Sequence, residues 1–135
     1  MFTLKLSAVG PFAAAHANGP EGHKCNTTHG HDWTVDVEWQ SNELDENGWA
    51  VDMDFGMLKQ HVRDVIGQFD HQDLNEVFAP AYDDLERKLA GRAVKPSAEM
   101  LSYYIFQALV EGGAPPPISV TIHEGAGNSV TYRRG

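Results

Sequence analysis

A strict alternation between large apolar and polar side chains runs from residue 33 to residue 40. The apolar members are Trp33, Val35, Val37 and Trp39, and the polar members are Thr34, Asp36, Glu38 and Gln40. A period of two places successive side chains on opposite faces of an extended chain, so the segment is predicted to be a half-buried β-strand. A chain with such a strand has to build a sheet that has one apolar face.

Three other stretches alternate in the same way. The first contains Phe2, Leu4 and Leu6, and the other two are "ISVTIHE" and "SVTYRR", which flank the turn "GAGN" and predict a C-terminal hairpin. A further brief strand is expected around Trp49 to Val51. The sheet is therefore predicted to have four main strands, two at each end of the chain.

Two amphipathic helices are predicted between these pairs of strands. The first begins after the N-cap Asp54 and repeats apolar residues as far as Phe69. The second opens at Pro96 and Ser97 and ends at Gly112 and Gly113. The charged stretch from Phe78 to Val94 is either an excursion or a short additional helix.

The element order ββααββ predicts an α+β fold, with a four-stranded antiparallel sheet and two helices on one of its faces. With 135 residues, a single domain over 1–135 is expected. The other face of the sheet is polar; it carries Thr3, Lys5, Ser7, Thr34, Asp36 and Glu38. Because four strands leave two open edges, we expect an oligomer that closes sheets across subunits.

Composition excludes several classes of protein. The chain is 41% hydrophobic and 21% charged, and no apolar run approaches the roughly 18 residues of a membrane helix. The apolar N-terminus is interrupted by Pro11 and His16, so it is interpreted as a strand of a cytoplasmic protein and not as a signal peptide. A net charge of −9 argues against nucleic acid as the main partner, although an anionic ligand at a local basic patch remains compatible with it.

The stretch "HKCNTTHGHDW" suggests a metal site. His29 and His31 are two residues apart, so in a strand they project to the same side, about 6.6 Å apart along the backbone. His16, just past the end of the first strand, is well placed to be a third ligand. Three neutral imidazoles would leave a fourth position of Zn²⁺ open, as in catalytic zinc sites. Histidines that serve only as surface or capping residues are the alternative.

Cys25 is the only cysteine and lies four residues before His29. A cysteine beside a cation has a lowered pKa and is able to act as a base or nucleophile, and the alternative is a small buried hydrophobic residue. Asp70 and His71, at the end of the first helix, form either a proton shuttle or a polar helix end. Glu124 ends the strand before the hairpin turn, where it is either an acceptor for an amidine-like ring edge or an exposed side chain without a role.

Taken together, these residues resemble the 6-pyruvoyltetrahydropterin synthase and 6-carboxytetrahydropterin synthase family. The resemblance covers nearly the whole chain through "FAAAH", "CNTTHGH", "DMDFGMLK", "FDHQDLN", "KPSAEM" and Glu124. It implies zinc on His16, His29 and His31, catalytic Cys25 with Asp70 and His71, and Glu124 as the anchor of the pterin. It also implies the tunnelling fold, in which two barrel-forming trimers make a homohexamer with active sites at subunit interfaces.

The implied reaction converts 7,8-dihydroneopterin triphosphate to 6-carboxy-5,6,7,8-tetrahydropterin, acetaldehyde and triphosphate, a step of 7-deazaguanine (queuosine) biosynthesis. A 6-pyruvoyltetrahydropterin synthase of biopterin biosynthesis is the alternative within the family. A zinc hydrolase and a non-catalytic pterin- or zinc-binding homologue are the alternatives outside it. Three features depart from the family pattern: Gly125 follows Glu124, Ser97 replaces a common threonine, and the segment between Asn75 and Pro96 is long.

Overall fold

The computed structural model describes residues 1–17, 19, 22–24, 27–78 and 96–135. Its strands are β1 (Phe2–His16), β2 (His29–Ser41), β3 (Gln72–Asp73), β4 (Ser119–Glu124) and β5 (Asn128–Arg133). The helices of this part of the chain are α1 (Phe55–Ile66), α2 (Leu74–Phe78) and α3 (Ala98–Glu111). The α+β class is confirmed. Apart from Phe78, which ends α2, the segment predicted as an excursion or extra helix lies outside the described residues.

The described strands form one sheet of five strands in the order β3-β1-β2-β4-β5, so the predicted four-stranded antiparallel sheet is wrong. The additional strand, β3, runs parallel to β1 and pairs Gln72 with Ala14 and Asp73 with Ala15. Two residues are too few to show an alternation, which is why sequence periodicity missed β3. The other neighbouring strands pair antiparallel, and β4 and β5 form the predicted hairpin.

Strand β1 continues past Pro11 because two irregularities interrupt its pairing without ending it. Its register against β2 shifts once between Leu6 and Val9 and again between Val9 and Phe12. Each shift adds one residue to β1, as a β-bulge does, and all three of these apolar side chains remain buried. Gly10 lies in the second shift at φ +119°, and a Cβ there would come within 3.2 Å of backbone atoms, so this position requires glycine.

The helices cover one face of the sheet and bury it. Asp54 caps α1 by accepting a hydrogen bond from the Met57 amide, as predicted. Ser97, where the second helix was expected to open, caps α3 in the same way through Met100. The core joins side chains from β1, β2 and β4 to one stripe of each long helix; its fully buried members include Trp33, Val35, Val37, Trp39, Leu58, Val62, Leu101, Ile105, Val120 and Ile122. Around Trp49 a single bridge between Leu44 and Ala50 replaces the expected brief strand.

The opposite face of the sheet is polar, as predicted. Asp36 of β2 accepts a hydrogen bond from the Ala8 amide at 2.7 Å and lies 3.0 Å from Nε2 of His123. Lys5 approaches Asp36 and Glu38 to within 4 Å. Within the described ranges, no helix has both the length and the apolar character required to cross a membrane.

Candidate metal centre

Three histidines meet at one end of the sheet, on the face that carries the core. His16 is the last residue of β1 and not, as predicted, just beyond it, and it pairs with His29 at the start of β2. His31 follows on the same side of β2 as His29, as the spacing predicted. The ring centroids are 4.6 Å apart for His16 and His29, 4.8 Å for His29 and His31, and 5.5 Å for His16 and His31.

Trp33 forms the floor of this cluster. The indole ring contacts the imidazoles of His16 and His31 edge-on, with centroids 5.2 and 5.4 Å away. Its Nε1–H donates a hydrogen bond to the Ala14 carbonyl oxygen at 3.1 Å, and the residue is fully buried. The cluster thus continues the apolar core by one further layer and is shielded from water on that side.

Hydrogen bonds to backbone carbonyls determine the tautomers of two of the histidines. Nδ1 of His16 lies 2.6 Å from the carbonyl oxygen of Pro96, and Nδ1 of His29 lies 2.8 Å from that of Thr27. Because a carbonyl oxygen only accepts, each Nδ1 carries the proton and donates. In the neutral ring Nε2 then has a free lone pair, which is the arrangement found in histidines that bind metals.

The free nitrogens point into a common space with Glu124. Nε2 of His16 and Nε2 of His31 are buried, and neither has a hydrogen-bond partner among the described residues. Oε1 of Glu124 lies 3.0 Å from Nε2 of His31, but the approach is a charge contact without hydrogen-bond geometry. One candidate ligand atom from each of these residues and from His29 lies within 4.8 Å of the others.

The protonation state of His16 suits a metal ligand. Burial lowers the pKa of His16, and the neighbouring His29 and His31 lower it further, against the raising effects of the Pro96 carbonyl and the Glu124 carboxylate. His16 is therefore neutral at neutral pH, as a metal ligand must be. Buried nitrogen atoms without partners are costly, and a divalent cation would satisfy them. The residues present thus fit zinc.

A pocket of about 260 Å³ opens onto the cluster. It is lined by His16, His29 and Glu124, by Ala98 and Glu99 at the start of α3, and by 128–130 of β5. Glu124 lies on the core face of β4, because it follows the buried Val120 and Ile122 at intervals of two residues along the strand. The pocket is therefore lined by two of the three candidate metal ligands and by the carboxylate predicted to bind a ring.

Asp70 and His71 are fixed to β1 beside the cluster. Oδ1 of Asp70 accepts a hydrogen bond from the Ala13 amide at 2.9 Å and lies 3.1 Å from Nδ1 of His71. The Ala13 hydrogen bond is the main reason that the pKa of Asp70 is lowered, and His71 contributes to it. The His71 side chain is 83% exposed, and a pocket of about 610 Å³ is lined by both His71 and His31.

The structure does not test the predicted role of Cys25, and it adds two residues, Pro96 and Trp33, to the predicted site. Cys25 lies outside the described residues, so its expected position beside the metal stays a prediction. The roles of Pro96 and Trp33 in the cluster were missed. A carbonyl acceptor such as that of Pro96 leaves no side-chain signal, whereas the alternation of β2, extended backwards from Trp33, reaches His31 and His29 and indicates that they share its face.

Known proteins match this chain over most of its length. The sequence pattern of the family described as 6-pyruvoyl tetrahydropterin synthase matches residues 5–135. A protein of Archaeoglobus fulgidus, provisionally named a 6-carboxy-5,6,7,8-tetrahydropterin synthase, is 36% identical over 76% of this chain and 72% of its own length. The 6-carboxy-5,6,7,8-tetrahydropterin synthase of Synechocystis sp. is 30% identical over 90% of this chain and 86% of its own.

Solved structures share the fold. The 6-pyruvoyl tetrahydropterin synthase of Caenorhabditis elegans superposes with a TM-score of 0.75 at 24% identity, over 100% of this chain and 98% of its own. The Plasmodium vivax enzyme of the same name gives a TM-score of 0.71 at 20% identity, over 98% and 97%. With the match to nearly all residues, these similarities show that the chain belongs to the 6-pyruvoyl tetrahydropterin synthase family.

Proposed function

We propose that this protein is a zinc-dependent lyase that converts 7,8-dihydroneopterin triphosphate and one water to 6-carboxy-5,6,7,8-tetrahydropterin, acetaldehyde and triphosphate. Its family is one of lyases that act on a pterin triphosphate. The observation that carries the proposal is the convergence of His16, His29 and His31, whose ligand atoms lie within 4.8 Å of one another and of Glu124. Two relatives, at 36% and 30% identity, carry the 6-carboxy name, which favours that product.

The three imidazoles would hold zinc through their Nε2 atoms. Bound there, the metal supplies Lewis-acid polarisation of the side-chain hydroxyls of the substrate. The chain contributes the geometry: the Pro96 and Thr27 carbonyls orient two of the rings, and Trp33 excludes water from beneath them. A cation in this place would also remove the cost of the two unpartnered nitrogens.

Proton transfer is assigned to Cys25, Asp70 and His71. The thiolate of Cys25, four residues before His29, would remove the proton from C1′ of the side chain, while the reduced ring is formed by internal tautomerisation without a nicotinamide. His71 would relay protons, because it is exposed to the pocket that it shares with His31. Asp70, whose lowered pKa keeps it ionised, would orient His71 and stabilise its charged form.

Ring recognition is assigned to Glu124. A carboxylate is able to accept two parallel hydrogen bonds from the amino group and N3–H of a pterin. One carboxylate oxygen of Glu124 lies near His31, and the residue lines the 260 Å³ pocket. A ring bound to Glu124 would therefore lie beside the metal. The turn after it begins with Gly125 at φ +64°, a conformation that glycine adopts without strain.

We further assign the active unit to a homohexamer made of two trimers. The sheet has two open edges in the described part of the chain: β5 on one side, and on the other the stretch of β1 that the two-residue β3 does not cover. Pairing β5 of one copy with β1 of the next would satisfy both edges and close a barrel with the polar face inside. The exposed His71 would then lie near a subunit boundary.

The deciding experiment is incubation of the zinc-loaded protein with 7,8-dihydroneopterin triphosphate, with mass identification of the pterin and an assay for acetaldehyde. A 6-carboxy product with stoichiometric acetaldehyde supports the proposal. A 6-pyruvoyl product without acetaldehyde would favour the second candidate, to which the fold neighbours named 6-pyruvoyl tetrahydropterin synthase point. Binding of zinc and pterin without any product would identify a non-catalytic homologue.

A further inference from the structure

The segment from Asp70 to Asn75 is hydrogen-bonded to the last residues of β1. Its contacts lie before, within and after the short parallel pairing of β3 with β1. At the first end, Asp70 accepts a hydrogen bond from the Ala13 amide, and the His71 amide donates one to the Ala13 carbonyl at 2.6 Å. In the middle, β3 pairs with Ala14 and Ala15. At the far end lies Asn75, whose contact with β1 is made by its side chain.

The Asn75 side chain binds both the amide N–H and the carbonyl oxygen of Ala17, and this pair of hydrogen bonds is called the clasp. Its Oδ1 accepts a hydrogen bond from the Ala17 amide at 2.8 Å, and its Nδ2 donates one to the Ala17 carbonyl oxygen at 2.9 Å. Asp73 in turn accepts from the Asn75 backbone amide at 3.0 Å, which holds the clasp at the start of α2. A primary amide is needed for this double contact because it carries a donor and an acceptor side by side.

Ala17 directly follows His16, and it precedes residues 18–28, which contain Cys25 and lead to the second ligand at His29. His16 is the terminal residue of β1, where strand pairing by itself holds the backbone least firmly. The Pro96 carbonyl orients the ring of His16, but the position of the His16 Cα depends on how the backbone around it is held. The clasp holds the backbone on the far side of the ligand.

We propose that Asn75 is a positioning residue of the metal site: it fixes the end of β1 and so aims Nε2 of His16 at the point where Nε2 of His31 and the His29 ring converge. The proposal rests on the zinc site of the proposed function and adds a residue to it. Asn75 belongs to the segment that also carries Asp70 and His71. The hydrogen bonds of this segment to β1 therefore fix the position of the metal ligand relative to the proton-relay pair.

The experiment measures metal binding without any pterin. Zinc affinity is determined by chelator competition at neutral pH for the wild type, Asn75→Ala and Asn75→Asp, with Asn47→Ala, in an exposed turn, as the matched control. Asn75→Asp keeps the acceptor for the Ala17 amide but sets a second acceptor against its carbonyl. The visible absorption of Co²⁺-substituted protein reports ligand geometry in each variant.

Both Asn75 variants are expected to lower zinc affinity roughly 10- to 100-fold, as partners that orient metal ligands do, and to shift the Co²⁺ spectrum. Asn47→Ala should change neither. Wild-type affinity and an unchanged spectrum in a folded Asn75 variant would overturn the proposal. So would failure of both variants to fold, since the clasp would then serve the whole fold. A wild type that binds zinc but turns over no pterin would refute the proposed reaction and leave this inference standing.

Discussion

Nδ1 of His16 and the carbonyl oxygen of Pro96 lie 2.6 Å apart although 80 positions separate the two residues in the chain. This bond joins the end of β1 to the residue that precedes the cap of α3. While α3 is docked on the sheet, the bond holds the proton of His16 on Nδ1 and so leaves Nε2 able to accept a metal. Formation of the site and docking of the helix are therefore coupled.

The first prediction is that the purified protein holds about one zinc per subunit and that His29→Ala abolishes it. Removing one of three imidazoles leaves too few ligands for a tight site. Elemental analysis after dialysis measures the metal directly. The matched control is His61→Ala on α1, outside the ligand group, which should keep its zinc. A His29→Ala protein with full zinc would refute the ligand assignment.

The second prediction separates base from ligand at Cys25. Cys25→Ala is expected to keep its zinc and to lose roughly 10²- to 10⁴-fold in turnover, the usual contribution of general-base catalysis. Cys25→Ser should be similarly slow, because a hydroxyl ionises far less readily than a thiol near a cation. Steady-state kinetics and zinc analysis on the same samples provide the check. Joint loss of zinc and activity would make the thiol a ligand instead.

The third prediction is that Glu124→Gln weakens pterin binding roughly 10- to 100-fold and leaves the zinc content unchanged. The amide presents one donor to a ring edge that offers only donors, so one of two charge-assisted bonds is lost and the other weakened. Titration with biopterin, which lacks the triphosphate leaving group, measures it. Equal affinities would place the ring elsewhere. Lost zinc would instead make Glu124 the fourth metal ligand, a role that its distance of 3.0 Å from His31 allows.

The fourth prediction concerns pH and Asp70. The hydrogen bond from the Ala13 amide holds the pKa of Asp70 below its usual range, so the ionised form stabilises the fold. This stabilisation is complete above the unfolded pKa of about 3.9 and is lost as the pH falls through the lower folded pKa. Asp70→Asn should thus unfold at lower denaturant than the wild type at pH 7, and the gap should narrow towards pH 3. Denaturant titrations of metal-free protein test it, with exposed Glu46→Gln as control; a pH-independent gap would contradict it.

The fifth prediction is that the protein in solution is a multiple of three subunits, six under most conditions. The uncovered edges of β1 and β5 and the charged network around Asp36 on the open face suit a closed barrel. Light scattering at micromolar concentration gives the mass. A monodisperse monomer would rule out the barrel and any active site shared between subunits.

Much of the fold could be predicted from residue patterns because its main elements are regular. The alternation from Trp33 to Gln40 and the caps Asp54 and Ser97 are local signals, and the structure has a strand or helix end at each. Strand β3 could not be predicted in this way. It exists because Asp70 and Asn75 bind the backbone of β1, and such contacts between distant segments have no periodicity to detect.

The candidate site divides in the same manner. His29 and His31 were assignable from their spacing, since a strand fixes the direction of both side chains. His16, Asp70, His71 and Glu124 were singled out by their places at the ends of predicted elements, but only the resemblance to a family chose among the roles open to each. The carbonyl of Pro96 and the clasp of Asn75 act through the main chain of distant residues, so neither had a signature in its own part of the sequence.

The two bulges of β1 come as a pair, and their number decides on which face His16 lies. Each inserts one residue and reverses which side of the sheet the following residues occupy, so two restore the original parity. Leu6 and His16 therefore share a face although the strand between them is twice irregular. If one bulge were lost with no residue deleted, His16 would turn towards the polar face, away from its two partners, whereas deleting the extra residue of that bulge would bring it back opposite His29. In this strand the count of residues, as much as their identity, encodes the metal site.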